Sequence, residues 1–156
     1  MRITRFTLGL SAITVAALGL GLAAQSNPTA VAPKITVYKT SSCGCCKLWV
    51  DHMKASGFDV QSMDVSAADV RAVSKAAGLK EEDTSCHTAK VGNYTVEGHV
   101  PAADIKRMLK EKPAIAGIAA PGMPQGSPGM EQGSKEPYDV IAFTKDGKST
   151  VYAKHK

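Results

Sequence analysis

The 156-residue chain is short of aromatic residues, at 5%. It therefore lacks the stacking platforms on which single-stranded nucleic acid is held. It also lacks a basic stripe. Its lysines and acids are interspersed, which describes a solvated surface rather than one that tracks phosphates, so nucleic acid is not an expected partner. There is no repeat at domain scale; the only internal echo is Pro-Gly-Met, at 121–123 and again at 128–130. A hydrophobic fraction of 44% with 21% charged residues excludes a multi-pass membrane protein and argues against a disordered chain. The length fits one domain. Four cysteines are too few for a disulfide-packed mini-protein. Three of them, Cys43, Cys45 and Cys46, lie within four residues, and Cys86 stands alone.

The first stretch has the pattern of an export signal. Arg2 and Arg5 precede an uncharged run from Phe6 to Ala24, with Ala23 and Ala24 offering a cleavage site before the polar Gln25-Ser26-Asn27. Residues 1–24 are thus expected to be a signal peptide, 25–33 a linker and 34–156 the folded domain. The competing reading is an uncleaved anchor, since roughly 19 apolar residues at ~1.5 Å each just span a bilayer. Either way the rest of the chain lies outside the cytoplasm, and once cleaved it has no stable membrane association. Removing Arg2 and Arg5 takes the basic residues from 19 to 17 against 14 acids, so the net charge falls from +5 to +3.

Lys34 to Lys39 alternates and is rich in β-branched residues, which predicts a strand. Thr40-Ser41-Ser42 follows as a turn, and Cys45 to Ser56 reads as a helix with Leu48, Trp49, His52 and Met53 as its stripe, stopped at Gly57. Phe58 to Val65 predicts a second strand. Ala67 to Ala77 predicts a helix with Val70, Val73 and Ala77 inward. A hairpin over Thr88 to Val100 turns at Gly92-Asn93. Pro101 opens a helix from Ala102 to Lys110 with Ile105, Met108 and Leu109 buried. Residues 113–137 are rich in Gly and Pro without a period, and a last hairpin, Tyr138–Thr144 with Thr150–Lys154, turns at Asp146-Gly147. The class is α/β. The order βαβαββα is thioredoxin-like, followed by a Gly/Pro/Met-rich loop and an added C-terminal hairpin.

Cys43-Gly44-Cys45-Cys46 holds two patterns at once: C-x-x-C, as in thiol–disulfide exchange, and C-x-C, as in thiolate metal sites. At a helix start, free N–H groups and the dipole favour thiolate over thiol. Successive helical side chains diverge by about 100°, so Cys45 and Cys46 do not readily meet one ion together with Cys43. They can bridge several. A dithiol enzyme needs two cysteines, and a third beside them invites scrambling. Four thiolates neutralise four monovalent cations, which suits Cu(I); four-coordinate zinc is the alternative. A redox dithiol and plain disulfides in an oxidising compartment are the competing readings.

Supporting ligands are less sharply marked. His87 follows Cys86 and is either a nitrogen ligand or an exposed, idle side chain. His99 precedes Pro101 by two residues, a stretch that lies near the cysteine helix in thioredoxin-like folds. His52 lies about 10 Å down the helix at ~1.5 Å per residue, beyond reach of the cysteines. His155, one residue from the end, is expected to be solvated. Met123 and Met130 sit in PGMPQGSPGM, where no apolar period demands them. As thioethers they are soft ligands that cannot form disulfides. A metal-capturing flap is the expectation, and a hydrophobic plug the alternative.

SSCGCCKLWVDHM, SCHTAKVGNYTVEGHVPAADIKRML and PAIAGIAAPGMPQGSPGME closely resemble segments of the CopG-type copper-resistance proteins, small exported bacterial proteins. The resemblance covers residues 34–154. It implies a thioredoxin-like fold, a periplasmic location, and a copper-binding role in resistance with a thiolate-bridged copper cluster. Carried over by position, Cys43, Cys45, Cys46 and Cys86 match the family's cysteines, and Met123 and Met130 its Gly-Met-Pro and Pro-Gly-Met segments. The expected function is Cu(I) binding in a multinuclear thiolate site, with Cu(I)/Cu(II) interconversion as an extension. The alternatives are a thiol–disulfide oxidoreductase using Cys43 and Cys46, and a metallochaperone that docks on another periplasmic copper-handling protein.

Overall fold

A computed structural model describes residues 32–156; the expected signal and most of the linker lie outside them. The described chain runs β1 (Lys34–Lys39), α1 (Gly44–Ala55), β2 (Asp59–Asp64), α2 (Ala67–Ala76), β3 (His87–Val91), β4 (Tyr94–Glu97), α3 (Ala102–Glu111), β5 (Gly117–Ala119), β6 (Tyr138–Phe143) and β7 (Ser149–His155), with a 3-10 turn at Glu81–Asp83. The strands form one seven-stranded sheet in the order β2-β1-β3-β4-β5-β6-β7. β1 pairs with β2 in parallel and with β3 antiparallel, β3 and β4 form a hairpin, and β4 pairs with β5 in parallel. Among the described residues no helix is long and apolar enough to cross a membrane.

Strand alternation places the layers. Ile35 and Val37 of β1 stand opposite Val91 and Ala89 of β3, and all four join the core that includes Trp49 and Met53 of α1 and Ile105 and Met108 of α3. On the other face, the Thr88 hydroxyl donates to the Val70 carbonyl of α2. α2 is capped at Ser66, whose hydroxyl accepts from the Asp69 N–H at 3.1 Å, the local reason it begins there. α1 buries Cys46, Trp49, Val50 and Met53. Leu48, expected inward, is 43% exposed, because the buried stripe is set one residue round by Cys46.

Two expectations change towards the C-terminus. β5 lies inside the stretch expected to be irregular; its three residues, Gly-Ile-Ala, are too few and too small to show a period. Gly117 is required there, since a Cβ would sit 1.8 Å from the Thr95 carbonyl oxygen of β4. His155 is not idle: its Nε2 lies 2.7 Å from Asp104 Oδ2 and its ring stacks on Tyr138. With Arg107 4.0 Å over the Tyr152 ring, this fastens β7 to α3.

Gly117→Ala is expected to destabilise the chain by more than about 2 kcal/mol, since neighbouring backbone cannot yield as a side chain does. Gly44→Ala, where nothing lies within 4 Å of the added carbon, is expected to change stability by less than about 0.5 kcal/mol. Urea midpoints of the two variants measure the contrast.

Candidate metal centre

The centre is built where β1 hands over to α1. Cys43 caps α1, its sulfur accepting the Cys46 N–H at 3.3 Å. Sulfur at this position meets the positive end of the helix dipole. The antiparallel pairing of β1 with β3 sets Lys39 opposite His87, which brings Cys86, one residue earlier, beside the helix start. Cys86 Sγ lies 3.5 Å from Cys46 Sγ and 3.9 Å from Cys45 Sγ, and Cys45 Sγ lies 3.6 Å from Cys43 Sγ. All four sulfurs fall within 4.8 Å of one another. Cys43 and Cys46 are joined as a disulfide with Cα atoms 5.3 Å apart, while Cys45 and Cys86 are free thiols. Successive helical positions diverge, yet the four sulfurs converge because Cys86 meets both Cys45 and Cys46.

The histidines divide. His87 and His99 are fully buried, which removes the exposed alternative for His87. His87 Nδ1 lies 3.4 Å and His99 Nε2 3.1 Å from Cys86 Sγ. His52 stands apart, its Nε2 accepting the Ala102 N–H at the start of α3. Trp49 closes the floor: its ring centroid is 4.5 Å from that of His87, and its indole N–H donates to the Val100 carbonyl at 2.9 Å.

The Gly/Pro/Met loop is tied down over the centre. Pro128 accepts from His99 Nδ1 at 2.8 Å, Ser85 Oγ donates to the Gly122 carbonyl, and Gly122 N–H donates to the Thr84 carbonyl. Gly129 has φ +87°, and a Cβ there would meet the Cys45 carbonyl oxygen at 2.8 Å and Trp49 N at 2.9 Å. Only glycine permits that approach. The loop is thus a hydrogen-bonded strap. Met130 follows Gly129 and is half-buried, and Met123 is 53% exposed. A cleft of about 230 Å³ opens on the other side, lined by Thr40, Ala67, Val70, Arg71, Ser85 and Cys86.

Three comparisons bear on this geometry. A family model described as "Protein of unknown function, DUF411" matches residues 84–130. No curated protein matches. A solved structure titled "Copper resistance protein copG- Form 2" is 43% identical, with a TM-score of 0.73 over 80% of this chain and 99% of its own. A second, titled "Copper resistance protein copG- Form 1", is 42% identical, with a TM-score of 0.72 over 79% and 98%. The chain belongs to the CopG copper-resistance family.

Within that CopG frame, Glu97 is a functional neighbour that sequence reading missed. It is buried on β4 beside the centre. Its carboxylate accepts from the Ser85 N–H at 2.7 Å and the Thr88 hydroxyl at 2.6 Å, so it holds the segment that carries Cys86 and His87. Nothing in the pattern YTVEGHV marks it, since one acid in a short strand reads as a solvent-facing residue.

Burial sets the protonation states. It pushes the Cys86 thiol up to about 12, with Cys45 adding to the shift and the Ser85 hydroxyl opposing it. A metal must therefore displace that proton. Burial lowers His87 to about 3, with His99 reinforcing the shift, and it also lowers His99, against the pull of the Pro128 carbonyl. Burial raises Glu97 to about 7, opposed by its two hydrogen bonds.

The signs separate these groups. The unfolded chain protonates His87 near pH 6.5 and the folded chain only near 3, so this term removes stability as pH falls through that window. Glu97 does the reverse, its contribution being full below about 4.5 and lost as pH rises to about 7. The stability of Glu97→Gln relative to wild type should accordingly grow by up to about 3 kcal/mol between pH 4.5 and 7.5. Urea midpoints across that range measure it, and a difference independent of pH would contradict a buried, titrating Glu97.

Proposed function

We propose that this protein is an exported, periplasmic copper-binding protein of copper resistance that holds Cu(I) on Cys43, Cys45, Cys46 and Cys86. The observation that carries the reading is the convergence of four sulfurs within 4.8 Å. Sulfurs about 2.3 Å from a tetrahedral ion stand roughly 3.8 Å apart, and the free contacts here are 3.5–3.9 Å. The donor set fits a soft thiophilic cation, provided the Cys43–Cys46 bond is first reduced by two electrons and two protons. Soft thiolates select Cu(I), and as bridging ligands four of them this close can share several such ions. The strap bearing Met123 and Met130 adds candidate soft donors. The names of the 42–43% identical structures support copper as the cargo. The Arg2/Arg5 start and apolar run of residues 6–24 support export.

The strand order β2-β1-β3-β4, with helices after β1, β2 and β4, supports a thioredoxin-like reading of the first seven elements. A second function is favoured by one observation, the C-x-x-C disulfide at the start of α1. It is a thiol–disulfide oxidoreductase in which Cys43 attacks and Cys46 resolves.

Anaerobically reduced protein is expected to bind more than one Cu(I) per chain, with sulfur ligation and a short metal–metal distance at the copper X-ray edge. Cys45→Ser should lower the count. Binding of a single ion, untouched by that change, would refute the cluster. The oxidoreductase reading instead requires turnover in a disulfide-reduction assay that Cys43→Ser abolishes and Cys45→Ser spares.

A further inference from the structure

A lysine is buried beside the sulfur centre, and the proposed function gives it no task. Ile35, Val37 and Lys39 alternate onto the face of β1 that α1 covers. Lys39 is 4% exposed there, and a lysine is almost never so buried without a partner. Its partner is Asp64, the residue paired with it on β2. The pair is lopsided: the Lys39 side chain is 6% exposed and that of Asp64 56%. Water and salt screen the outer charge far more than the inner one. Inside the protein the pair therefore acts as a net positive charge.

Two arrangements aim that charge at the centre. The Lys39 ammonium lies 3.5 Å from the Thr40 carbonyl oxygen, which also accepts the Cys43 N–H at 3.2 Å. The lysine thereby braces the turn that delivers Cys43 to the start of α1. Across the β1–β3 ladder it stands opposite His87, whose Nδ1 faces Cys86 Sγ. Burial and His99 keep the His87 ring neutral, and the Lys39 charge adds to that shift. The sulfurs in this field include the bonded pair Cys43 and Cys46.

We propose that Lys39 is a positioning residue of the sulfur centre: its buried ammonium braces the Cys43 turn and stabilises the negative charge that enters when a thiolate opens the Cys43–Cys46 bond. Cys46 is fully buried and Cys43 half-buried, so the incoming thiolate attacks Cys43 Sγ. The Cys43–Cys46 bond breaks, its electron pair leaves on Cys46 Sγ, and that sulfur takes up a proton. With a dithiol reagent, the second thiol then attacks the reagent's own sulfur in the mixed disulfide and frees Cys43. Two electrons and two protons pass to the protein, and the reagent becomes a cyclic disulfide. A fixed charge already in place speeds such a step, because nothing must reorganise to supply it. This deepens the proposed function and rests on one element of it, a Cys43–Cys46 bond that opens, which both readings require.

The probe is dithiothreitol. Its rate of reaction with the oxidised, metal-free full chain is read by counting free thiols in quenched samples. Lys39→Met is expected to slow reduction at least about threefold, and Asp64→Asn, which removes only the opposing charge, to speed it about twofold. Urea midpoints of both variants should fall, since each breaks the ion pair. A pair that only fastens β1 to β2 predicts otherwise: both variants would loosen the turn and both would be reduced faster. Unchanged or faster reduction of Lys39→Met overturns the proposal. If that variant does not fold, Lys39→Met in an Asp64→Asn background takes its place, because removing both charges leaves none unpaired. It must react at least about threefold more slowly than Asp64→Asn alone. A wild type that dithiothreitol leaves oxidised refutes the opening bond itself. A wild type that is reduced at a rate indifferent to Lys39 overturns only the role of the lysine.

Discussion

The pairing of Lys39 with His87 across antiparallel β1 and β3 is the contact on which the centre depends. Side chains alternate faces along a strand, so a slip of one residue would turn every side chain of β3 to the opposite face. Cys86 would then leave the start of α1, and His87 would leave the floor made by Trp49. The register is held by Ile35 and Val37 against Val91 and Ala89, all buried in the main core. Apolar burial at one end of two strands thereby positions sulfur at the other. The chemistry is set by packing that contains no ligand at all.

Around that register the fold gathers polar groups that burial makes expensive and that satisfy one another. Glu97 is placed opposite Thr88 by the β3–β4 hairpin and reaches Ser85 as well. His99 is fixed by the strap, Trp49 by Val100, and His52 by the start of α3. Such a network is stable only when complete, because each lost partner leaves a desolvated group behind. The buried Nε2 of His87 is where it is incomplete, while the other nitrogen of that ring faces Cys86.

The sequence was most legible where local signals and tertiary packing agree. β1 runs from Lys34 to Lys39 as its alternation indicates, and α2 and α3 begin where Ser66 and Pro101 place them. The four cysteines declared themselves by type and spacing. What stayed hidden was long-range. β5 is recognisable only through its partners β4 and β6. Glu97 and His155 acquire roles from residues up to 51 positions away, and no local pattern encodes such a pairing. Gly and Pro obscure any period in the loop, yet Gly129 is what allows it to lie against α1.

With the strap across one side, Cys86 meets solvent through the cleft bounded by Thr40, Ser85 and Arg71. A guanidinium cannot be deprotonated, so this doorway keeps a fixed positive charge at every physiological pH. One such charge beside the opening favours the approach of anionic groups over that of bare cations.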